Sequence, residues 1–209
     1  MQDTAHTHLR VPPYGSGPLA TAGGPDPYAS ELVELGAGEE WTRPATGMDI
    51  QILVTGGTLD WQGRTFGPGG FVRATWTEGE RIRSEAGCHL FVKTGPTESK
   101  ADQTPTVAID PADAPWSPGQ GNLRVLPLDS RGAESTALVH WPAGERFLPH
   151  RHFGGEEIFV LSGTFQDEHG SYPAGSWIQS PHGSVHHPFV VEETRIWVKT
   201  GHLPPVQGQ

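Results

Sequence analysis

The most restrictive feature of this sequence is an internal repeat whose two copies are offset by 106 residues and align without a gap. The tetrapeptide VKTG at residues 92–95 recurs at 198–201, and the tripeptide AGE at 37–39 recurs at 143–145. Chance can supply one such match, but it does not supply a series of matches in a single register. The chain is therefore predicted to contain two domains of the same fold.

Both copies consist of short segments that are typical of β-strands. β-Branched and aromatic residues alternate with Gly-rich turns, and no stretch shows the sustained 3.6-residue apolar period of an amphipathic helix. The 28 glycines and 20 prolines punctuate these runs, which favours an all-β fold with many tight turns. The predicted strand segments are QILV (51–54), GGFVRATW (69–76), HLFVK (89–93), EIFVL (157–161), GSWIQS (175–180) and RIWVK (195–199).

Composition changes along the chain predict four segments. Residues 1–30 are expected to be extended or partly disordered, although part of this segment is a candidate edge strand. Residues 31–95 form the N-terminal repeat domain, and residues 122–209 form the C-terminal one. Residues 96–121 are rich in Pro, Ser, Asp and Gly and are predicted to be an inter-domain linker.

The charge and cysteine content exclude several classes of function. Asp and Glu outnumber Lys and Arg by 24 to 14, so nucleic acid and anionic membranes are poor partners for this chain. No run of about 20 apolar residues and no leader pattern is present, which predicts a cytoplasmic protein. Cys88 is the only cysteine, so any metal site must use nitrogen and oxygen ligands.

Such ligands occur at a distinctive spacing in the second copy. Its sequence GERFLPHRHFGGEEIFVLSG contains His150, His152 and Glu156, and a later PxGxxH pattern ends at His186. Side chains alternate along a strand, so His150 and His152 point to the same face. Parity also selects Glu156 over Glu157, provided that the two preceding glycines do not introduce a bulge. Three imidazoles and one carboxylate suit Fe(II), Zn(II), Mn(II), Ni(II) or Cu(II).

These two patterns resemble the conserved motifs of the cupin superfamily. Residues 116–202 are similar to the ChrR-like cupins, named for the C-terminal half of a bacterial zinc-containing anti-sigma factor, and the repeat extends the likeness to the bicupins. The resemblance implies two tandem jelly-roll β-barrels with the metal inside the second one. It also implies that the ligands are His150, His152, Glu156 and His186.

The first copy is predicted to lack metal. At the same offset the four ligand positions are occupied by Pro44, Thr46, Ile50 and Glu80. Three of these residues are not ordinary metal ligands, and one carboxylate does not make a site. One divalent ion per chain is therefore expected, with Fe or Zn favoured over Mn or Ni.

Two classes of function remain open from the sequence. The first is a mononuclear, Fe(II)-type dioxygenase or C–C cleaving oxidoreductase that acts on a small carbonyl or phenolic compound. The second is a non-catalytic zinc-binding regulatory or sensor module, although the cysteine-rich domain of the anti-sigma factor is absent from this sequence. No catalytic residue beyond the ligands is identified. The apolar run at 158–161 needs cover on both faces, and a second subunit in a homodimer is one candidate.

Overall fold

The computed structural model describes residues 7–10, 17–19, 27–43, 48–77, 79–96 and 106–205. These residues form strands and turns and contain no helix, so the predicted all-β fold is confirmed. Accordingly, the described part of the chain includes no helix long and apolar enough to cross a membrane. The chain divides into an N-terminal unit, mainly residues 27–114, and a C-terminal unit, mainly residues 115–209.

Ten strands lie in the described part of the N-terminal unit. In chain order they are β2 (Gly17–Leu19), β3 (Ala29–Leu35), β4 (Glu40–Thr42), β5 (Asp49–Gly57), β6 (Leu59–Trp61), β7 (Arg64–Phe66), β8 (Phe71–Thr75), β9 (Arg81–Arg83), β10 (Cys88–Gly95) and β11 (Val107–Ile109). The larger sheet has the order β11-β8-β5-β10-β3-β2, and the smaller one has the order β4-β9-β6-β7. Ile52, Val54, Leu59, Phe66 and Leu90 are among the buried side chains of its core.

The residues that the structure describes in the C-terminal unit form strand β1, from the N-terminal segment, and ten later strands. These are β1 (Thr7–Arg10), β12 (Ser117–Pro118), β13 (Arg124–Arg131), β14 (Glu134–Trp141), β15 (His150–Arg151), β16 (Glu156–Ser162), β17 (Thr164–Asp167), β18 (Gly170–Pro173), β19 (Ser176–Ser180), β20 (Val185–His186) and β21 (Thr194–Thr200). One sheet has the order β1-β19-β16-β21-β14-β13-β12, and β15-β20 and β17-β18 are separate two-stranded sheets. Val139, Ile158, Val160, Phe165 and Ile196 belong to its core.

The same strand order recurs in the two units. The order β8-β5-β10-β3 in the first corresponds to β19-β16-β21-β14 in the second. A matched pair of turns shows why the repeat keeps its glycines. Gly57 and Gly163 have φ values of 70° and 73°, and a Cβ at either one would collide with a carbonyl oxygen, of Gly87 or of Glu193. Only glycine combines a positive φ with the absence of a Cβ, so it is the residue that fits both turns at little cost.

Strands also occur within the two segments of low apolar content. Strand β1, from the N-terminal 30 residues, pairs antiparallel with β19 and extends the sheet of the C-terminal unit. Strand β11, from residues 96–121, pairs with β8 of the N-terminal unit. Backbone pairing at a sheet edge needs little apolar side-chain surface, which is why these strands carry a weak sequence signal.

Candidate metal centre

The structure brings together the four residues of the proposed ligand set. One ligand atom from each of His150, His152, Glu156 and His186 lies within 4.8 Å of the others. The three imidazole rings are mutually edge-on, with centroids 4.6 to 4.8 Å apart. Among the residues that the structure describes, no other group of three or more His, Cys, Asp or Glu side chains is arranged in this way.

Three local elements position these side chains. His150 in β15 and His186 in β20 are directly opposite partners in a short antiparallel pair, so they approach each other across the two strands. His152 follows in the turn after β15, and Glu156 is the first residue of β16. His152, Glu156 and His186 are buried, whereas His150 is half-buried. One side of the cluster is therefore accessible.

The path from His152 to Glu156 differs from the predicted continuous strand. Gly154 and Gly155 have φ values of 78° and 70° and lie in a turn. Gly154 also lies close to the backbone of Gly201, where a Cβ would come within 2.6 Å. Alternation along one strand therefore does not explain why Glu156 joins the histidines. The turn ends so that Glu156 nevertheless faces them.

The neighbouring carboxylate, Glu157, has a separate set of partners. Its Oε1 accepts a hydrogen bond of 2.6 Å from the indole N–H of Trp177, and its Oε2 lies 2.9 Å from Nε2 of His202. All three side chains are buried. Glu157 is therefore committed to a structural network outside the histidine cluster.

Two of the imidazoles are oriented by partners on Nδ1. Nδ1 of His150 lies 3.0 Å from the carbonyl oxygen of Leu148, and Nδ1 of His152 lies 3.0 Å from Oγ of Ser184. An imidazole that donates from Nδ1 presents an unprotonated Nε2. These contacts therefore favour the tautomer that is suited to metal binding.

The third imidazole has a carboxylate partner. Nδ1 of His186 lies 3.2 Å from Oδ2 of Asp167. Burial alone would lower the pKa of His186, but the hydrogen bond to Asp167 and the negative charge of Glu156 outweigh it and raise that pKa. Asp167 is itself buried, and its pKa is lowered because the hydrogen bonds to its carboxylate outweigh the effect of burial. A carboxylate behind an imidazole ligand increases its basicity towards a metal.

The environment of Glu156 fits a bound cation. Its Oε2 lies 3.4 Å from Nε2 of His152 and 3.5 Å from Nε2 of His186. This oxygen is buried and accepts no hydrogen bond from the part of the chain that the structure describes. Burial raises the pKa of Glu156. A buried carboxylate oxygen without a donor is unfavourable, and a divalent ion would supply the missing positive partner.

Other histidines near the cluster have different contacts. Nδ1 of His182 accepts a hydrogen bond of 2.8 Å from the backbone N–H of Gly154, which ties two loops together. His187 is exposed, and its backbone N–H donates to Glu168. His182 therefore stabilises the turn that precedes Glu156, and His187 faces away from the cluster.

An apolar pocket adjoins the cluster within the C-terminal unit. Its volume is about 200 Å³, and His150, Glu156 and His186 form part of its lining. Most of the remaining walls are aliphatic or aromatic and include Leu123, Val139, Trp141, Ile158, Phe165 and Ile196. The described lining residues include no lysine or arginine, and Gln120 is their only polar member outside the cluster.

Sequence reasoning missed three residues of this region: Asp167, Ser184 and Gln120. Asp167 has a weak signal, because an Asp three residues before a Gly often caps a hairpin turn. Ser184 precedes His186 in the recognised motif, but a serine there has no distinctive spacing. Gln120 lies in the segment predicted to be a linker, where no pattern marks it as part of a pocket.

The two described equivalents of the cluster in the N-terminal unit, Ile50 and Glu80, do not form a metal site. Ile50, which occupies the position of Glu156, is 1 % exposed and belongs to the hydrophobic core. Glu80, at the position of His186, is half-buried. Pro44 and Thr46 lie outside the described residues.

Comparisons with known proteins identify both the domain and the fold. The ChrR cupin-like domain family matches residues 104–204. No curated protein matches the sequence. Several solved structures share the fold across most of the chain, at identities too low to indicate function.

Three of these structures illustrate the likeness. Protein Ylba from E. coli is 13% identical, with 95% of this chain and 92% of that one covered and a TM-score of 0.72. A protein from Nostoc punctiforme, described as a proposed dioxygenase, is 11% identical, with 99% of this chain and 86% of that one covered and a TM-score of 0.74. The Escherichia coli pirin YhhW, solved with nickel(II), is 14% identical, with 97% of this chain and 100% of that one covered and a TM-score of 0.70.

Proposed function

Because residues 104–204 match the ChrR cupin-like domain family, we propose that the chain is a mononuclear metal-dependent oxygenase. His150, His152, Glu156 and His186 hold one divalent ion, Fe(II) in the first instance. The substrate is a small carbonyl or phenolic compound. The observation that carries the proposal is the apolar pocket of about 200 Å³, because residues of the cluster form part of its wall.

A bound ion would supply a Lewis acid with one or two positions left for substrate or oxygen. The chain itself supplies orientation and a dry environment. Leu148, Ser184 and Asp167 hold the three imidazoles with Nε2 towards the cluster. Glu156 contributes the negative charge that offsets the cation, and its burial strengthens that interaction.

The pocket also favours an enzyme over a purely structural zinc site. Four protein ligands complete the tetrahedral coordination of a structural zinc ion, and such a site needs no neighbouring cavity. Here His150 is half-buried and lines the pocket together with Glu156 and His186. A small molecule in the pocket would therefore lie beside the ion.

The proposal is tested by elemental analysis of protein purified without added metal, followed by oxygen uptake with a panel of diketones and phenols. We expect iron in the protein and substrate-dependent oxygen uptake that is lost in Glu156→Ala. The matched control is Glu34→Ala, which removes a carboxylate from the N-terminal unit. Tightly bound zinc at one ion per chain, with no oxygen uptake after replacement by iron, would overturn the enzymatic proposal in favour of a regulatory zinc module.

A further inference from the structure

The composition of the pocket wall restricts the ligands that it can accept. Ten of its fourteen lining residues are apolar or aromatic, three belong to the histidine–glutamate cluster, and the last is Gln120. Because the described lining residues include no lysine or arginine, a carboxylate or phosphate placed against the apolar wall would lose part of its hydration without gaining a cationic partner. The pocket therefore favours a ligand whose part away from the cluster carries no charge.

The volume indicates the size of the part of a ligand that the pocket can enclose. A cavity of about 150 Å³ lined by Leu, Ile and Phe accommodates benzene, and this pocket has about 200 Å³. Three aromatic rings of the wall pack against one another: Trp141 is edge-on to Phe165, with ring centroids 5.6 Å apart, and its centroid lies 5.9 Å from that of Phe147. One ring with small substituents, or a branched chain of similar bulk, fits this space.

Gln120 is held in place by the loop that carries it. This loop joins β12 to β13, and the N–H of Gly119 donates a 2.8 Å hydrogen bond to the carbonyl of Leu123. The backbone N–H and the Nδ2 of Asn122 donate to the two carboxylate oxygens of Glu145, at 3.3 and 2.8 Å. Hydrogen bonds of the residues on both sides of Gln120 therefore set the position of its backbone beside the pocket.

Glu145, to which this loop is hydrogen-bonded, is itself held by a backbone hydrogen bond. The N–H of Val190 donates a 3.0 Å hydrogen bond to the carbonyl of Glu145. Between Gln120 and Asn122, Gly121 has a φ of 64°, and a Cβ there would collide with Oε1 of Glu145. A larger residue at 121 would displace the Glu145 carboxylate from this position, and the positive φ also favours glycine.

We propose that Gln120 is the specificity-determining residue of a pocket that binds a compact, uncharged ligand with an apolar body. Oxygen atoms of the ligand reach the metal ion, and its second polar group, a hydroxyl or carbonyl, is recognised by the Gln120 amide. An amide both donates and accepts hydrogen bonds, so it suits a neutral group of either kind. This inference rests on the metal site of the proposed function.

The test uses benzohydroxamic acid, whose hydroxamate binds metal ions, and its 4-hydroxymethyl and 4-carboxy derivatives. Calorimetric titration of the metal-loaded protein is expected to give a dissociation constant at least tenfold lower for the 4-hydroxymethyl than for the 4-carboxy compound. In Gln120→Arg, the added cation is expected to strengthen binding of the 4-carboxy compound at least tenfold and to reverse the order. Gln62→Arg, which adds the same charge at an exposed turn of the N-terminal unit, is expected to retain the wild-type order.

Metal content is measured before each titration, so the two proposals fail separately. Protein without bound metal would overturn the proposed function. Metal-loaded protein that binds both derivatives equally, that binds none of the three compounds, or that keeps its preference in Gln120→Arg would overturn the present inference alone. A reversed preference confined to Gln120→Arg would support it.

Discussion

The two carboxylate oxygens of Asp167 have separate roles, and only Oδ2 faces His186, at 3.2 Å from Nδ1. The other oxygen, Oδ1, accepts hydrogen bonds from the backbone N–H groups of His169 and Gly170, at 2.8 and 3.0 Å, and from the hydroxyl of Tyr172 at 3.1 Å. These three donors fix the carboxylate. Oδ2 is therefore presented to His186 as an acceptor, so Nδ1 carries the proton and Nε2 is available to a metal.

Asp167→Asn is expected to weaken metal binding by about 10- to 100-fold. The three donors retain the amide oxygen, so the new NH₂ group faces Nδ1 of His186. This group can only donate, which forces the proton of the neutral imidazole onto Nε2 and blocks that atom as a ligand. Competition with a chromophoric chelator for Zn²⁺ measures the affinity. Asp113→Asn, in an exposed turn, is the control, and an unchanged affinity in Asp167→Asn would contradict the argument.

His186→Ala is expected to lose the metal, whereas His187→Ala retains it. The two residues are adjacent, but His186 is 2 % exposed within the cluster and His187 is exposed. The replacement is the same in both variants, so the comparison isolates the direction of the side chain. Metal content after gel filtration is the measurement. Equal loss in the two variants would show that the wrong face of this segment has been assigned.

One metal ion per chain is expected at saturation. The only described cluster of suitable ligand atoms is in the C-terminal unit, and Ile50 stands at the position of the proposed ligand Glu156 in the N-terminal unit. Elemental analysis against protein concentration from amino-acid analysis gives the ratio. A ratio near two would require a second site in the chain and would overturn the assignment of the N-terminal unit as metal-free.

The sequence predicts the all-β fold and the four residues of the cluster because both depend on the spacing of residues close together in the chain. Strand runs, glycine turns and the HxHxxxE pattern are readable along the chain. Asp167 is different, because its contact with His186 depends on the hairpin β17–β18 and spans 19 residues. Gln120 reaches the pocket, and strand β1 reaches β19, only through the tertiary fold. Neither segment has a hydrophobic period in the sequence that would predict this placement. The order of strands in each unit likewise follows from long-range pairing rather than from any single segment.

Metal affinity is expected to fall with decreasing pH, beginning above pH 6.5. Burial opposes protonation of His186, but the hydrogen bond to Asp167 and the charge of Glu156 outweigh it, so its pKa in the metal-free protein is raised above the usual 6.5. A ligand histidine must be neutral, so protons compete with the metal below that raised pKa. The pKa of His150 is lowered by burial, so this residue does not compete in the same range.

The apparent dissociation constant for Zn²⁺, measured between pH 5.5 and pH 8, tests this pH dependence. We expect affinity to decline already between pH 8 and pH 6.5. An affinity that is constant over this interval and declines only below pH 6.5 would show that Asp167 and Glu156 do not stabilise the protonated form of His186. A buffer series with constant ionic strength separates this effect from screening.

Removal of the metal is expected to leave the protein folded. Small zinc fingers unfold without their ion because it supplies about 10–16 kcal/mol of apparent binding energy. The C-terminal unit instead has its own core, which includes Val160, Phe165 and Ile196, and the N-terminal unit forms the same strand order with Ile50 in place of Glu156. Strand pairing and core packing therefore suffice to form this fold.

The melting temperature, however, should depend on the metal. A ligand that binds only the native state at 100 times its dissociation constant stabilises it by about 2.7 kcal/mol. For a chain of this length, 1 kcal/mol changes the melting temperature by about 2–4 °C, so chelation should lower it by roughly 5–10 °C. Far-UV circular dichroism of chelator-treated and metal-restored protein measures both signals. A cooperative loss of β-sheet signal at room temperature would mean that the ion is part of the fold, and would favour the regulatory zinc module over the oxygenase.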